Sequence, residues 1–178
     1  MSLKQKALTG FIWSASDKLI NQLGYLAVTV FIARLIGPES FGLIGMLTVF
    51  MLLAESVVNS GFSQALIQKS KAMTEEDAST IFYVNLFLGV CMYVLLYFSA
   101  PAIAAFYKQP VLIDIARILF IVILVNALSV VVRAKLTIDI DFKSQAIAGT
   151  IAVILSSAIG LYLALNDYGI WSLVWLIL

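Results

Sequence analysis

Five stretches of this chain stay apolar for about the length a helix needs to cross a bilayer, and polar or turn-forming residues separate them. They run over residues 11–36, 41–67, 81–104, 111–132 and 145–165. A hydrocarbon core about 30 Å thick takes roughly 20 helical residues at about 1.5 Å each, so every stretch predicts a transmembrane helix. The punctuation agrees. Gly37-Pro38 ends the first helix, Thr74 with Asp77 makes a capping box ahead of the third, Pro110 suits the first turn of the fourth, and residues 166–169 form a turn after the fifth. A sixth stretch, 169–178, begins like a span but covers only ten residues. It is expected to be the start of a span in a longer protein, the alternative being a short tail lying on the bundle. The predicted fold is an all-α, polytopic membrane bundle of five full helices and a partial sixth.

Composition supports lipid as the solvent. Of 178 residues, 62% are hydrophobic and 12% charged, and the mean hydropathy is +1.05, whereas soluble domains are about half apolar and a quarter charged. The net charge is +1, without a long basic or acidic run, which leaves nucleic-acid binding unsupported. With no histidine and Cys91 as the single cysteine, disulfides, zinc sites and Cys/His or Ser/His/Asp catalytic sets have no residues to draw on. No phosphate-binding glycine loop occurs. The sequence thus points to no enzyme, no metal and no cofactor. The N-terminal stretch has the basic start of a signal peptide, but Asp17 and Lys18 interrupt its apolar run and it is expected to remain in the mature chain.

Basic residues of short loops set the orientation. A cytoplasmic N-terminus puts Lys4, Lys6, Lys69, Lys71, Arg133, Lys135 and Lys143 inside and only Arg34, Lys108 and Arg117 outside, with Lys18 in the membrane. That arrangement is the expected one.

Polar side chains within the spans need a reason, because a central Asp, Lys or Arg costs about 2.5–3.5 kcal/mol on insertion scales. The first helix holds Asp17, Lys18 and Asn21, and Asp17, Asn21 and Gly24 share a face. Either that face lines the bundle interior, or Asp17 and Lys18 snorkel to the cytoplasmic headgroups. Glu55 falls near the middle of the second span, on a face with Thr48, Leu52 and Asn59. In a hairpin of the first two helices about Gly37-Pro38, Lys18 and Glu55 come within one helical turn, as a structural ion pair or as part of a functional site. Asn85, Asn126, Ser156 and Ser157 are expected as interhelical hydrogen-bond donors, and Gly89, Gly149 and Gly160 as close-packing positions. Trp13, Trp171, Tyr97 and Tyr107 suit the interfacial belts, and Asp114 with Arg117 suits a local pair.

The run ARLIGPESFGLIGMLTVFMLLAESVVNSGFSQALIQK over 33–69 resembles the start of bacterial polysaccharide-export flippases of the O-antigen and colanic-acid type, within the multidrug/oligosaccharidyl-lipid/polysaccharide exporter superfamily. The likeness rests on Arg34 ahead of a Leu-x-Gly-Pro turn, Phe41-Gly42, Gly61 and the Ala65-Leu66-Ile67-Gln68 end of the second helix. RAKLTIDIDFKSQAIAG over 133–149 is similar to the family's cytoplasmic loop between its fourth and fifth helices, although the family is usually more basic there. The resemblance implies that residues 1–178 form the N-terminal lobe of a two-lobed inner-membrane exporter whose C-terminal lobe is missing here. Its substrate would be an undecaprenyl-pyrophosphate-linked oligosaccharide, flipped toward the periplasm for lipopolysaccharide or exopolysaccharide synthesis. Partners would be membrane lipid and polysaccharide polymerase machinery. Lys18 and Arg34 would be the pyrophosphate-binding candidates, and Asp17, Asn21, Glu55 and Asn59 the intramembrane polar or coupling candidates. The alternatives are a cation-coupled drug exporter of the same superfamily, with Glu55 or Asp17 as coupling carboxylate, and a non-transporting membrane scaffold.

Overall fold

The structure, a computed structural model, describes the backbone of residues 3–58, 75–138 and 142–178, and side chains at 19, 21–58, 79–134, 136–138 and 143–178. The helices, in chain order, are α1 (Leu3–Ile36), α2 (Pro38–Val58), α3 (Glu75–Tyr107), α4 (Leu112–Leu119), α5 (Ile121–Ile138), α6 (Phe142–Leu165) and α7 (Trp171–Ile177). There is no β-strand among the described residues. Among the described residues four segments are long and apolar enough to cross a membrane, Pro38–Val58, Ser79–Tyr107, Leu112–Ile138 and Lys143–Leu165, and α1 contributes the shorter apolar segment Asn21–Ile36.

The helix ends follow from local chemistry. Gly37 takes φ +79° and gives its N–H to the Ala33 carbonyl at 3.1 Å, the left-handed stop that lets Pro38 open α2 at once. The turn predicted at 166–169 is present, with Asp167 at φ 60° and Gly169 at φ 55°. There the Tyr168 N–H reaches back to the Leu163 carbonyl at 3.1 Å. The same motif closes α3, where Lys108 sits at φ 56° and Gln109 N–H bonds the Ala104 carbonyl at 3.0 Å. A non-glycine residue in this region costs roughly 1–2 kcal/mol, and the recovered carbonyl bonds offset it. Thr74 of the expected capping box lies outside the described residues.

Two expectations change. The fourth span is longer than residues 111–132 and interrupted once, at Phe120, between α4 and α5. Phe120 keeps a helical bond to Ala116 (2.9 Å), while Ile123 bonds Phe120 with the tighter spacing at 3.0 Å. Phe120 is fully buried, as are Leu112, Ile115, Leu119 and Ile123 of the same core, and the break falls at neither a glycine nor a proline. The second change is that α1 and α2 do not run as a paired hairpin. The main partner of α1 is α6, and its contact with α2 is slight. The register that put Lys18 one turn from Glu55 therefore does not describe how these helices pack.

One core joins α2, α3, α4 and α5; the short α7 enters it through Leu173, Val174 and Leu176, α1 through Ile32 and α6 through Ala164. Outside that core, large apolar side chains face outward, among them Phe87 and Phe98 of α3 and Ile154 and Leu155 of α6. In water such a surface would aggregate, whereas in a bilayer it is the solvated face.

Candidate functional site

The polar groups that the structure brings together lie where α2, α3 and α5 meet. The inward stripe of α2 is Ile44, Leu47, Met51, Ala54 and Val58, at helical spacing. Glu55 follows Ala54 and stands half-buried at the edge of this stripe, while Leu52, expected on the same face, is exposed. The Asn126 side-chain amide of α5 donates to Glu55 Oε1 at 2.6 Å. The next residue of α5, Ala127, accepts at its carbonyl from the amide of Asn85 on α3 at 2.9 Å. Asn85 is fully buried, and its Oδ1 has no hydrogen-bond partner. One helical turn further along α3, a Cβ added to Gly89 would lie 2.7 Å from the Ala127 Cβ, so only glycine lets the two helices come this close.

The three helices are thus tied at one level by two interhelical hydrogen bonds and a glycine contact, inside segments long and apolar enough to span a membrane. The level is rich in acceptors, with the Glu55 carboxylate and the spare Asn85 oxygen. Asn126 was expected only to join helices; its partnership with Glu55 has no local signal, since 71 residues separate the two. No ion pair to Glu55 is seen among the described residues. The side chains of Asp17 and Lys18 lie outside them, as does Asn59 altogether. Asn21 is half-buried. Arg34 occupies the last turn of α1 and is exposed.

Other expected polar contacts take different forms. Ser156 turns back to the Val153 carbonyl of its own helix at 3.3 Å, and Ser157 Oγ is buried without a partner. The Arg117 guanidinium stacks over the Tyr97 ring at 4.6 Å instead of pairing with Asp114, which is exposed. Tyr97 is half-buried beneath the guanidinium. Gly160 is a close-packing position, where an added methyl would meet the Ser172 carbonyl at 3.0 Å, and Gly149 is among the residues lining a groove. Trp13 lies outside the described side chains. Among the described residues no three of His, Cys, Asp or Glu gather as a metal site would require.

Two grooves lie among the described residues. One, about 460 Å³, runs between α5 and α6 past Leu128, Arg133, Gln145, Ala148 and Ala152. The other, about 450 Å³, lies at the opposite end between α2 and Gln109, lined by Glu39, Gly42, Leu43 and Met46.

Comparison with known proteins then decides the family. The polysaccharide biosynthesis protein family matches residues 31–178. The chain belongs to that family. It is similar to the succinoglycan biosynthesis transport protein ExoT of Rhizobium meliloti, 31% identical over 91% of this chain and 33% of the relative. It is similar also to the lipopolysaccharide biosynthesis protein WzxC of Escherichia coli, 27% identical over 86% of this chain and 31% of the relative. The teichuronic acid biosynthesis protein TuaB of Bacillus subtilis is 44% identical over 40% of this chain and 15% of its own length. The chain therefore spans no more than about a third of these relatives. No solved structure matches it. With its apolar helices and this kinship, it is a multi-pass protein of the bacterial inner membrane.

Proposed function

We propose that this chain is the N-terminal lobe of an exporter that flips an undecaprenyl-pyrophosphate-linked oligosaccharide across the inner membrane, a transport role and not an enzymatic one. The observation that carries the reading is the likeness over 91% of the chain to a protein named for succinoglycan transport. A likeness of similar extent to a lipopolysaccharide biosynthesis protein supports it. Those relatives are named for different glycans, so what this chain shares with both is better matched to the lipid carrier than to the sugar. The chain spans only a third of each relative, and a cavity that alternates between two faces needs a second wall. The 178 residues alone are therefore expected not to transport.

Arg34 and Lys18 are the proposed pyrophosphate contacts, since a partly desolvated phosphate is best held by charge-assisted hydrogen bonds. Exposure of Arg34 at the end of α1 supports its share of that role. The test is complementation of a flippase-deficient strain by the gene carrying this segment. Arg34→Ala and Lys18→Ala should each abolish export with membrane expression unchanged; near-normal export in both would remove the proposed contacts. Cysteine labelling should find positions near Lys143 cytoplasmic and positions near Glu39 and Lys108 periplasmic, and the reverse pattern would overturn the orientation. The bond between Glu55 and Asn126 favours one second reading, a cation-coupled drug exporter. In that case Glu55→Gln would raise drug sensitivity and leave the glycan unaffected.

A further inference from the structure

We propose that the groove between α5 and α6 seats one anionic glycerophospholipid of the surrounding bilayer, its phosphate on Arg133 and one acyl chain between the helices. The groove has the polarity gradient of an amphiphile. Arg133 and Gln145 lie toward the end where α5 stops and α6 begins, and Leu128 and Ala152 lie deepest. Arg133 is five residues from the end of α5 at Ile138, about 7.5 Å at 1.5 Å per residue, and a long arginine side chain near a helix end can extend its charge toward the headgroups. It is exposed, and among the described residues nothing pairs with it. Lys143, also exposed, stands two residues before Gln145 and adds charge of the same sign. Below this basic mouth the wall of α6 is Ala148, Gly149 and Ala152, too small to fill the space that Leu128 and Val132 border from α5.

The groove opens sideways, because α5 packs chiefly on α3 and α6 chiefly on α1, with little contact between the two. Leu128, Val132, Ala148 and Ala152 are exposed along it, an apolar lining on two segments long and apolar enough to span a membrane. A free phosphate would find a cation here but no use for the apolar trough. A protein helix laid in the trough would have to bring a carboxylate of its own to Arg133. A phospholipid satisfies both ends, and the charge at the mouth selects an anionic headgroup.

Native mass spectrometry of the purified chain in detergent tests this with phosphatidylglycerol and phosphatidylethanolamine as probes. Phosphatidylglycerol should be retained at about five- to tenfold lower concentration than phosphatidylethanolamine. Arg133→Gln should erase that preference, and Arg133→Lys should keep most of it. Ala148→Leu with Ala152→Leu, which fills the trough and leaves every charge in place, should weaken both lipids. Circular dichroism of each variant checks that helicity is unchanged. Equal retention of the two lipids by the unmodified chain, or full retention by both the Arg133→Gln and the filled variants, would overturn the proposal. So would displacement of phosphatidylglycerol by inorganic phosphate, or closure of the groove by a second copy of the chain.

Discussion

The segments Leu112–Ile138 and Lys143–Leu165 are both apolar enough to cross a membrane, yet over an apolar stretch of 18 residues 44% of the first is buried and only 11% of the second. Hydrophobicity therefore does not decide which helix becomes the core. Lipid tails are as apolar as leucine, so helices in a bilayer associate through close packing of small residues and through hydrogen bonds. The buried segment has both, in the Gly89–Ala127 contact and in the amides of Asn85 and Asn126. Among the described residues the exposed segment shows a comparable contact at Gly160, while Ser156 bonds within its own helix and the Ser157 hydroxyl has no partner. Between α5 and α6, which make little contact, a groove remains.

The largest effect should follow from closing the tightest contact in the buried half. At Gly89 even a methyl would sit 2.7 Å from a Cβ on a neighbouring helix, and a rigid methyl on a helix cannot swing aside. Gly89→Leu must part α3 from α5 and pull the Asn85 amide off the Ala127 carbonyl. Overpacking costs about 1–3 kcal/mol, and a buried amide left unpaired about 1–3 more. Unfolding in mixed micelles should show a loss of about 3 kcal/mol or failure of the protein to accumulate. Unchanged stability would mean that α3 and α5 are not held by this approach.

The next effect separates the two halves by their polar links. Asn126→Leu keeps the bulk on α5 and removes the donor to Glu55, stranding a carboxylate within the membrane segment. Interhelical hydrogen bonds in bilayers average about 0.6 kcal/mol and reach about 1.7 kcal/mol, and stranding the acid places this case at the upper end. The companion Glu55→Gln can still accept from Asn126 at its amide oxygen, so its loss should stay near a few tenths of a kcal/mol, at the low end of such bonds. A double-mutant cycle measures the link directly. Additive losses would show that the two side chains do not share a bond.

Helix positions and stops were open to reading because they depend on local facts: run length, Gly37 before Pro38, and the polar turn around Gly169. Pairing was not. The short Gly37-Pro38 connection suggests an antiparallel hairpin of α1 and α2, but α1 instead joins α6, more than a hundred residues later, and an all-round apolar helix carries no stripe that names its partner. Glu55 stood out because a carboxylate in a span is costly, and it is indeed held by a partner, but Asn126 could have been any of several amides. Arg117 looked like half of an ion pair at i, i+3 and is stacked on Tyr97 of another helix. Residue type marked which positions needed satisfying, and only the packing of distant segments decided what satisfies them.

The smallest effect belongs to the exposed half. At Gly160 an added methyl would meet the Ser172 carbonyl at 3.0 Å, the Leu176 Cβ at 3.2 Å and Ile32 Cδ1 at 3.4 Å, so α6 touches both α7 and α1 here. These neighbours can yield by a few tenths of an ångström, because α7 is a seven-residue helix and the Ile32 contact is the tip of a side chain. Alanine also favours the helix over glycine by about 1 kcal/mol, which offsets part of the strain. Gly160→Ala should therefore change stability by no more than about 1 kcal/mol, well under the loss from Gly89→Leu, since overpacking here lies at the bottom of its usual range. Its effect should be local: amide exchange in α7 should rise while that of α3 and α5 is unchanged. A loss as large as that at Gly89, or faster exchange throughout α3 and α5, would show that the α1–α6 side is as integral to the core as the α3–α5 side.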